Sequence, residues 1–319
     1  MQITDLPFEV IVIDNASTDG TAALLDTWCG RDSRFRSASE PRLGLARGKN
    51  AGILLSRAPL ILFTDDDTLV DPRWVASFHQ LLSGAGTLTL AGGPIVPVPR
   101  DLRPWPRWLP AAALQDAGQL DYRGRRSLGR FEYVWGGNMA VPRKLFDRLG
   151  LWNEEIGLQG TARVTAHDSA GFEDTELQDR AKQAGGSVWF CPDAVVRHRV
   201  PTESVTPRRI LDTAFTRGRN DFWVRELAAG GDARAVSTRP IWPAATGLAL
   251  ACAAWGAWAA RFRLTRSPGA IEKARQAAFR AGRALDGLRA GRRRALFYRM
   301  SYPVLSIVRA LWSRVAPER

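Results

Sequence analysis

A chain of 319 residues with 45% hydrophobic content can build one large domain, or one domain plus an appendage. Its three cysteines, Cys29, Cys191 and Cys252, lie far apart, which excludes a disulfide framework or a spaced zinc site and fits a reducing compartment. The net charge of +13 is uneven: residues 1–200 hold 23 Lys and Arg against 24 Asp and Glu, and residues 201–319 hold 22 against 8, so the second part should seek an anionic partner.

The N-terminus, MQITDLPFEV, lacks the basic start and long apolar core of a secretory signal. Val10 to Ile13 is an apolar run stopped by Asp14 and reads as a strand. DGTAALLDTW reads as a helix with Thr18 or Asp19 as N-cap. RLGLARGKNAGILLS is a Gly-broken loop leading into a short helix, and PLILFTDDD a second buried strand. DPRWVASFHQLL is a helix with Asp71 as cap and Pro72 in its first turn. LTLAGGPIVPV reads as a third strand, so the alternation predicts an α/β fold with a mostly parallel sheet flanked by helices. Residues 100–130 are rich in Pro, Arg and Trp and read as an irregular insertion. FEYVWGGNMAVPRKLFDRLG gives a strand, a Gly turn and a helix. AGFEDTELQDRAKQAGG gives an acidic turn and a helix ending at Gly185, and SVWFCPDAVVRHRV two short strands. Beyond Val200 the pattern becomes helical and basic.

The chemistry-bearing residues collect at strand ends. Asp65, Asp66 and Asp67 follow an apolar strand, where open α/β sheets place their ligands. Two carboxylates two residues apart on an extended segment can point the same way and suit a hard divalent cation that in turn binds substrate phosphates. The plain alternative is an acidic turn capping the next helix, a role Asp71 already fills. Asp14 also ends a strand, with an Asx turn as its structural alternative. Glu173 and Asp174 stand at a helix N-terminus, where the dipole favours carboxylates anyway. A carboxylate there could also take a proton from an attacking hydroxyl. Gly136 and Gly137 allow close backbone approach to a ligand. His198 is one of three histidines, and a lone histidine is more often structural.

Taken in order, VIDNASTDGT, GLARGKNAG, LFTDDD, WGGNMAVP and GFEDTEL…CPDAVVRH resemble the successive motifs of the family 2 glycosyltransferases of GT-A fold, over about Phe8 to Val200. The resemblance implies that Asp14 contacts the nucleotide base. Lys49, where the family usually carries Arg, makes an altered nucleotide contact. Asp65 and Asp67 match the Asp-x-Asp pair, towards ribose and metal respectively, with Asp66 between them in the donor site. Gly136 and Gly137 match the loop by donor sugar and acceptor. Asp174 matches the catalytic base with Glu173 beside it, and His198 a histidine that can reach the metal. The implied reaction is metal-dependent inverting transfer, with Mg²⁺ or Mn²⁺ as cofactor, from a nucleotide-sugar donor to a glycan or lipid-linked acceptor.

Family members normally begin with an earlier strand–helix unit, and only seven residues precede Phe8 here. Two expectations follow: a start assigned too late, or a truncated and catalytically impaired form that acts as a membrane-associated scaffold. The domains expected are a catalytic part, residues 1–200, and a basic helical tail, residues 201–319. Ile241 to Ala260 is uncharged and 20 residues long, yet rich in Ala and Gly. It reads as a buried or interfacial helix, with a single membrane span as the alternative. RRALFYRMSYPVLSIVRALWSRV could edge an apolar helix face with cations. These features predict attachment to an anionic surface at the cytoplasmic face of the cell membrane. No nucleic-acid module is recognisable, so no nucleic-acid partner is expected.

Overall fold

The computed structural model describes residues 2–101, 103–130, 132–154, 173–228 and 242–290. The chain forms two units, Met1–Val96 with Leu120–His198, and Pro97–Gln119 with Arg199–Arg319.

In chain order, the strands are β1 (Val10–Asp14), β2 (Phe35–Ser39), β3 (Leu60–Thr64), β4 (Thr68–Val70), β5 (Thr89–Gly92), β6 (Ile95–Pro99), β7 (Arg126–Ser127), β8 (Asn138–Pro142), β9 (Ser187–Phe190) and β10 (Val196–Val200). The helices of the first unit are α1 (Thr21–Arg31), α2 (Leu45–Leu55), α3 (Trp74–Leu82), α4 (Arg143–Leu149) and α5 (Glu173–Gln183). The main sheet has the order β3-β8-β5-β9-β7, β1 and β2 form a separate parallel pair, and β4, β10 and β6 a third sheet.

The expectation of a mostly parallel sheet needs correcting. The pairs β3–β8, β5–β8, β7–β9 and β4–β10 are antiparallel, and β5–β9 is parallel. The mixing comes from β8, which lies between β3 and β5 and runs opposite to both. LTLAGGPIVPV is likewise two strands, broken at Gly93 and Pro94. A Cβ on Gly93 would overlap the Ala194 carbonyl, and Pro94 has no N–H to continue a ladder.

The strand expected before Gly136 starts after it, at Asn138. Val134 donates its N–H to Gln178 Oε1 (2.8 Å) and accepts from Gln178 Nε2 (2.9 Å), so one side-chain amide replaces a neighbouring strand. Helix starts also fall later than expected. Asp19 Oδ1 accepts from the Thr21 N–H, and Asp71 Oδ1 from the Arg73 N–H, so both carboxylates close the turn ahead of the helix. Gly185, with φ +83°, terminates α5 region as expected.

β8 is buried on both faces. Met139 and Val141 join Leu90, Leu145, Leu177 and Phe190 on one side, while Ala140 faces Trp74, Phe78 and Val196 on the other. Asn138 at its start is fully buried and fully satisfied: Trp74 Nε1 donates to its Oδ1 (2.8 Å), and its Nδ2 donates to the carbonyls of Pro94 (2.9 Å) and Ala194 (2.7 Å). The β1–α1–β2 layer is packed far less. α1 buries no residue, and its Leu24 and Trp28 are 57% and 44% exposed.

The second unit packs α6 (Pro207–Ala228), α7 (Trp242–Thr265) and α8 (Pro268–Ala290). Ala270, Ala274, Ala277, Ala278 and Ala281 form a buried seam along α8 at helical spacing. Small side chains bring the axes close enough that a Cβ on Gly218 of α6 would overlap the Phe279 carbonyl. Asp116, in the short 3₁₀ helix Ala111–Ala117, is bracketed by Arg217 (2.8 Å) and Arg275 (3.1 Å). The uncharged stretch lies mainly in α7, which buries Ala251, Trp255, Ala259 and Phe262 at spacings of four, four and three. Among the described residues no helix is long and apolar enough to cross a membrane. The segment RRALFYRMSYPVLSIVRALWSRV lies outside the described residues.

Asn138→Ala leaves the Trp74 indole N–H and the Ala194 carbonyl buried without partners, while the Pro94 carbonyl keeps the Val196 N–H. It should lower stability by about 3 kcal/mol, read from urea unfolding at an unchanged m-value. A loss below about 1 kcal/mol would contradict this account of the β8 terminus.

Candidate active site

The site is built around one lysine. Lys49 is on α2 beside the buried residues Ala46, Asn50 and Ile53. Asn50 makes a reciprocal pair with the Trp152 backbone, donating to its carbonyl and accepting from its N–H at 3.0 Å each. That pairing seats the indole 4.4 Å from Lys49 Nζ, a cation–π contact. The same ammonium donates to Asp174 Oδ1 at 2.8 Å and lies 3.5 Å from Glu173 Oε1. The Lys49 side chain is 8% exposed and that of Glu173 is 1%.

Asp174 is held from a second side. Its Oδ2 accepts the Gly136 N–H at 2.6 Å. One turn further along α5, Gln178 bonds both the Asp174 carbonyl and Val134, tying the helix to the glycine turn. The paired glycines are required here for space. A Cβ on Gly136 would overlap Asp174 Oδ1 and Lys49 Nζ, and one on Gly137 would overlap Asp65 Oδ2.

Burial works against the Lys49 charge, but Asp174 and Glu173 more than reverse it, so its pKa is raised. Burial, reinforced by the Asp174 charge, pushes the Glu173 carboxyl up against the opposing pull of Lys49. Burial also pushes Asp65 up, with Lys49 opposing and Asp67 adding, while water on the exposed side of Asp65 screens the effect. Among the described residues Glu173 Oε2 has no hydrogen-bond partner.

The three aspartates do not share one extended segment. The Thr68 N–H and Oγ1 both bond the Asp65 carbonyl, so residues 65–68 form a turn between β3 and β4. Asp65 therefore stands beside Gly137, while Asp67 Oδ2 lies 3.2 Å from His198 Nε2 on β10. Among the described residues no three His, Cys, Asp or Glu side chains group so as to hold a metal ion. Asp67 and His198 still offer two hard or borderline donors at a partly exposed position, with side chains 44% and 29% exposed. That suits a cation bound mainly by substrate phosphates and water, rather than one caged by protein.

Lys49, Asp65, Glu173, Asp174, Gly136 and Gly137 thus come together, and Asp67 pairs with His198. No described contact ties Asp66 to either group. Asp14 makes the Asx turn, accepting from the Ser17 N–H (2.9 Å), and no described contact links it to the Lys49 cluster. Sequence reasoning missed Asn50, Trp152 and Gln178. Of these, Gln178 alone carried a signal, its four-residue spacing from Asp174.

Residues 1–150 match the family described as "Glycosyl transferase family 2". Over this part the chain is similar to family 2 glycosyltransferases, and it builds mixed α/β sheets flanked by helices. The matched span includes Lys49, the three aspartates and both glycines, and ends before Glu173, Asp174 and His198. Among curated relatives, the glucosyl-dolichyl phosphate glucuronosyltransferase of Haloferax volcanii is 20% identical over 166 residues, 51% of this chain and 51% of that one. Glycosyltransferase GlyG of Streptococcus pneumoniae is 30% identical over 73 residues, 23% of this chain and 24% of that one. The matched part therefore spans about half of the first relative and a quarter of the second. Among solved structures, S. aureus TarS 1-349 in complex with UDP aligns over 66% of this chain and 58% of its own at 13% identity and a TM-score of 0.43.

Because its folded pKa is raised, Glu173 contributes stability that is fully present below the unfolded value near 4.5 and is lost as pH rises through the folded value. Wild type should therefore lose stability relative to Glu173→Gln between pH 4.5 and neutrality. Urea midpoints of both proteins across that range check this, and a constant difference would contradict it.

Proposed function

We propose that the first unit transfers a sugar, with inversion, from a nucleotide-sugar donor to a hydroxyl of a glycan or lipid-linked acceptor, in making cell-surface polysaccharide or glycoconjugate. The observation that carries this reading is the convergence of Asp65, Asp174 and the Gly136–Gly137 turn around buried Lys49, within a chain whose first 150 residues match a glycosyltransferase family. Two glycines without side chains let a sugar approach the backbone closely.

In this reading Asp174 takes the proton of the acceptor hydroxyl. The hydroxyl oxygen attacks the anomeric carbon from the face opposite the nucleoside diphosphate. The bond to the diphosphate oxygen breaks, the diphosphate leaves with the electron pair, and the configuration inverts. Asp65 orients the donor beside Gly137. Asp67 and His198 would hold Mg²⁺ or Mn²⁺, which supplies charge neutralisation to the leaving diphosphate when bound.

We further propose that the second unit rests on an anionic membrane surface. On α7, Leu250, Ala253, Ala257, Ala260 and Leu264 form an exposed apolar stripe, with Leu250 68% and Leu264 87% exposed. Exposed Arg261, Arg263 and Arg266 edge its end, the arrangement that suits a helix lying on charged headgroups.

Two outcomes are expected. Calorimetry should show UDP binding that needs Mn²⁺, is abolished by EDTA and weakens at least about tenfold in Asp67→Ala; equal affinity in all conditions would count against the site. The full chain should co-sediment with phosphatidylglycerol vesicles. Changing Arg261, Arg263 and Arg266 together to Gln should weaken that binding roughly a hundredfold, at about 1 kcal/mol per arginine. Equal binding to neutral phosphatidylcholine vesicles would remove the membrane reading.

A further inference from the structure

The resemblance assigns Lys49 to the nucleotide, but the surroundings of its ammonium point elsewhere. We infer that Lys49 is a positioning residue for the acceptor-side carboxylate Asp174, and not a ligand of the donor. This inference rests on the transfer reading above, in which Asp174 is the base.

Three contacts argue for it. Lys49 Nζ is 2.8 Å from Asp174 Oδ1, 3.5 Å from Glu173 Oε1 and 4.4 Å from the Trp152 ring centre. These partners occupy the head group on several sides, and the side chain keeps 8% exposure. To reach a diphosphate, Lys49 would have to leave two carboxylates behind, one of them 1% exposed. The helix that carries Lys49 is pinned as well, because Asn50 next to it is locked onto the Trp152 backbone in both directions.

The consequence for Asp174 is geometric. Lys49 takes Oδ1 and the Gly136 N–H takes Oδ2, so the plane of the carboxylate is set by two donors from two different elements. Each oxygen keeps a further lone pair with which to accept a proton from an incoming hydroxyl. Gly136 completes the device, since any side chain there would push into both members of the pair. Lys49 thus acts on turnover through Asp174, and leaves donor affinity to Asp65, Asp67 and the glycine turn.

The test is the hydrolysis of UDP-glucose and UDP-N-acetylglucosamine by the full chain with Mn²⁺, water serving as acceptor, alongside UDP affinity by calorimetry. Lys49→Met should lower kcat about a hundredfold, with donor KM and UDP Kd each within about threefold of wild type. Lys49→Met with Glu173→Gln, which removes the carboxylate left uncompensated, should give the same split and serves if the single variant does not fold. Thermal melts confirm folding in each case. A rise of more than about tenfold in KM and Kd at near-normal kcat would make Lys49 a donor ligand and overturn the inference. So would variants unchanged in every parameter. Failure of the underlying reading is separate and visible before any substitution: wild type would bind no UDP and hydrolyse neither donor, and the inference would fall with it.

Discussion

One buried ammonium facing two carboxylates is the constraint on which the site depends. Lys49 brings α2, the first turn of α5 and the Trp152 ring to one point, and Asp174 adds the glycine turn. A buried charge survives only where partners compensate for lost water. One ammonium cannot neutralise both carboxylates if both are ionised. Burial and the Asp174 charge push the Glu173 carboxyl up against the pull of Lys49, which eases that conflict by favouring its neutral form.

The rest of the first unit reads as support for that arrangement. Gly136 and Gly137 must be glycine because carboxylates crowd them, and Asn138, the next residue, nails the start of β8 to Trp74, Pro94 and Ala194. Gln178 joins α5 to the segment before the glycines through two bonds to Val134. The firmest packing thus lies directly under the candidate chemistry. The β1–α1–β2 layer is the contrast: α1 buries nothing, and β1 pairs with β2 alone among the described strands.

Much of this was legible in the residues. Apolar runs ending in Asp14 and Asp65 marked β1 and β3, Gly185 marked the end of α5, and the order of five motifs marked the family. Other features were not legible, because they depend on partners distant in sequence. Val134 looked like a strand residue, but its backbone is satisfied by a glutamine 44 positions away. The spacing of Asp65 and Asp67 suggested a shared direction, which the turn closed by Thr68 prevents. Lys49 looked like an altered nucleotide contact, and nothing local announces a bond to a carboxylate 125 positions away. The direction of β8, and with it the mixed sheet, follows from where that strand inserts, which periodicity does not encode.

The central claim is that Asp65 and the glycine turn hold the donor against Asp174, which Lys49 positions. Hydrogen–deuterium exchange of the full chain with and without UDP and Mn²⁺ tests it most directly. The account predicts protection on ligand addition at residues 64–68, 134–138 and 173–178, with little change along α7 and α8. Protection confined to other segments, or none at saturating UDP, would contradict it.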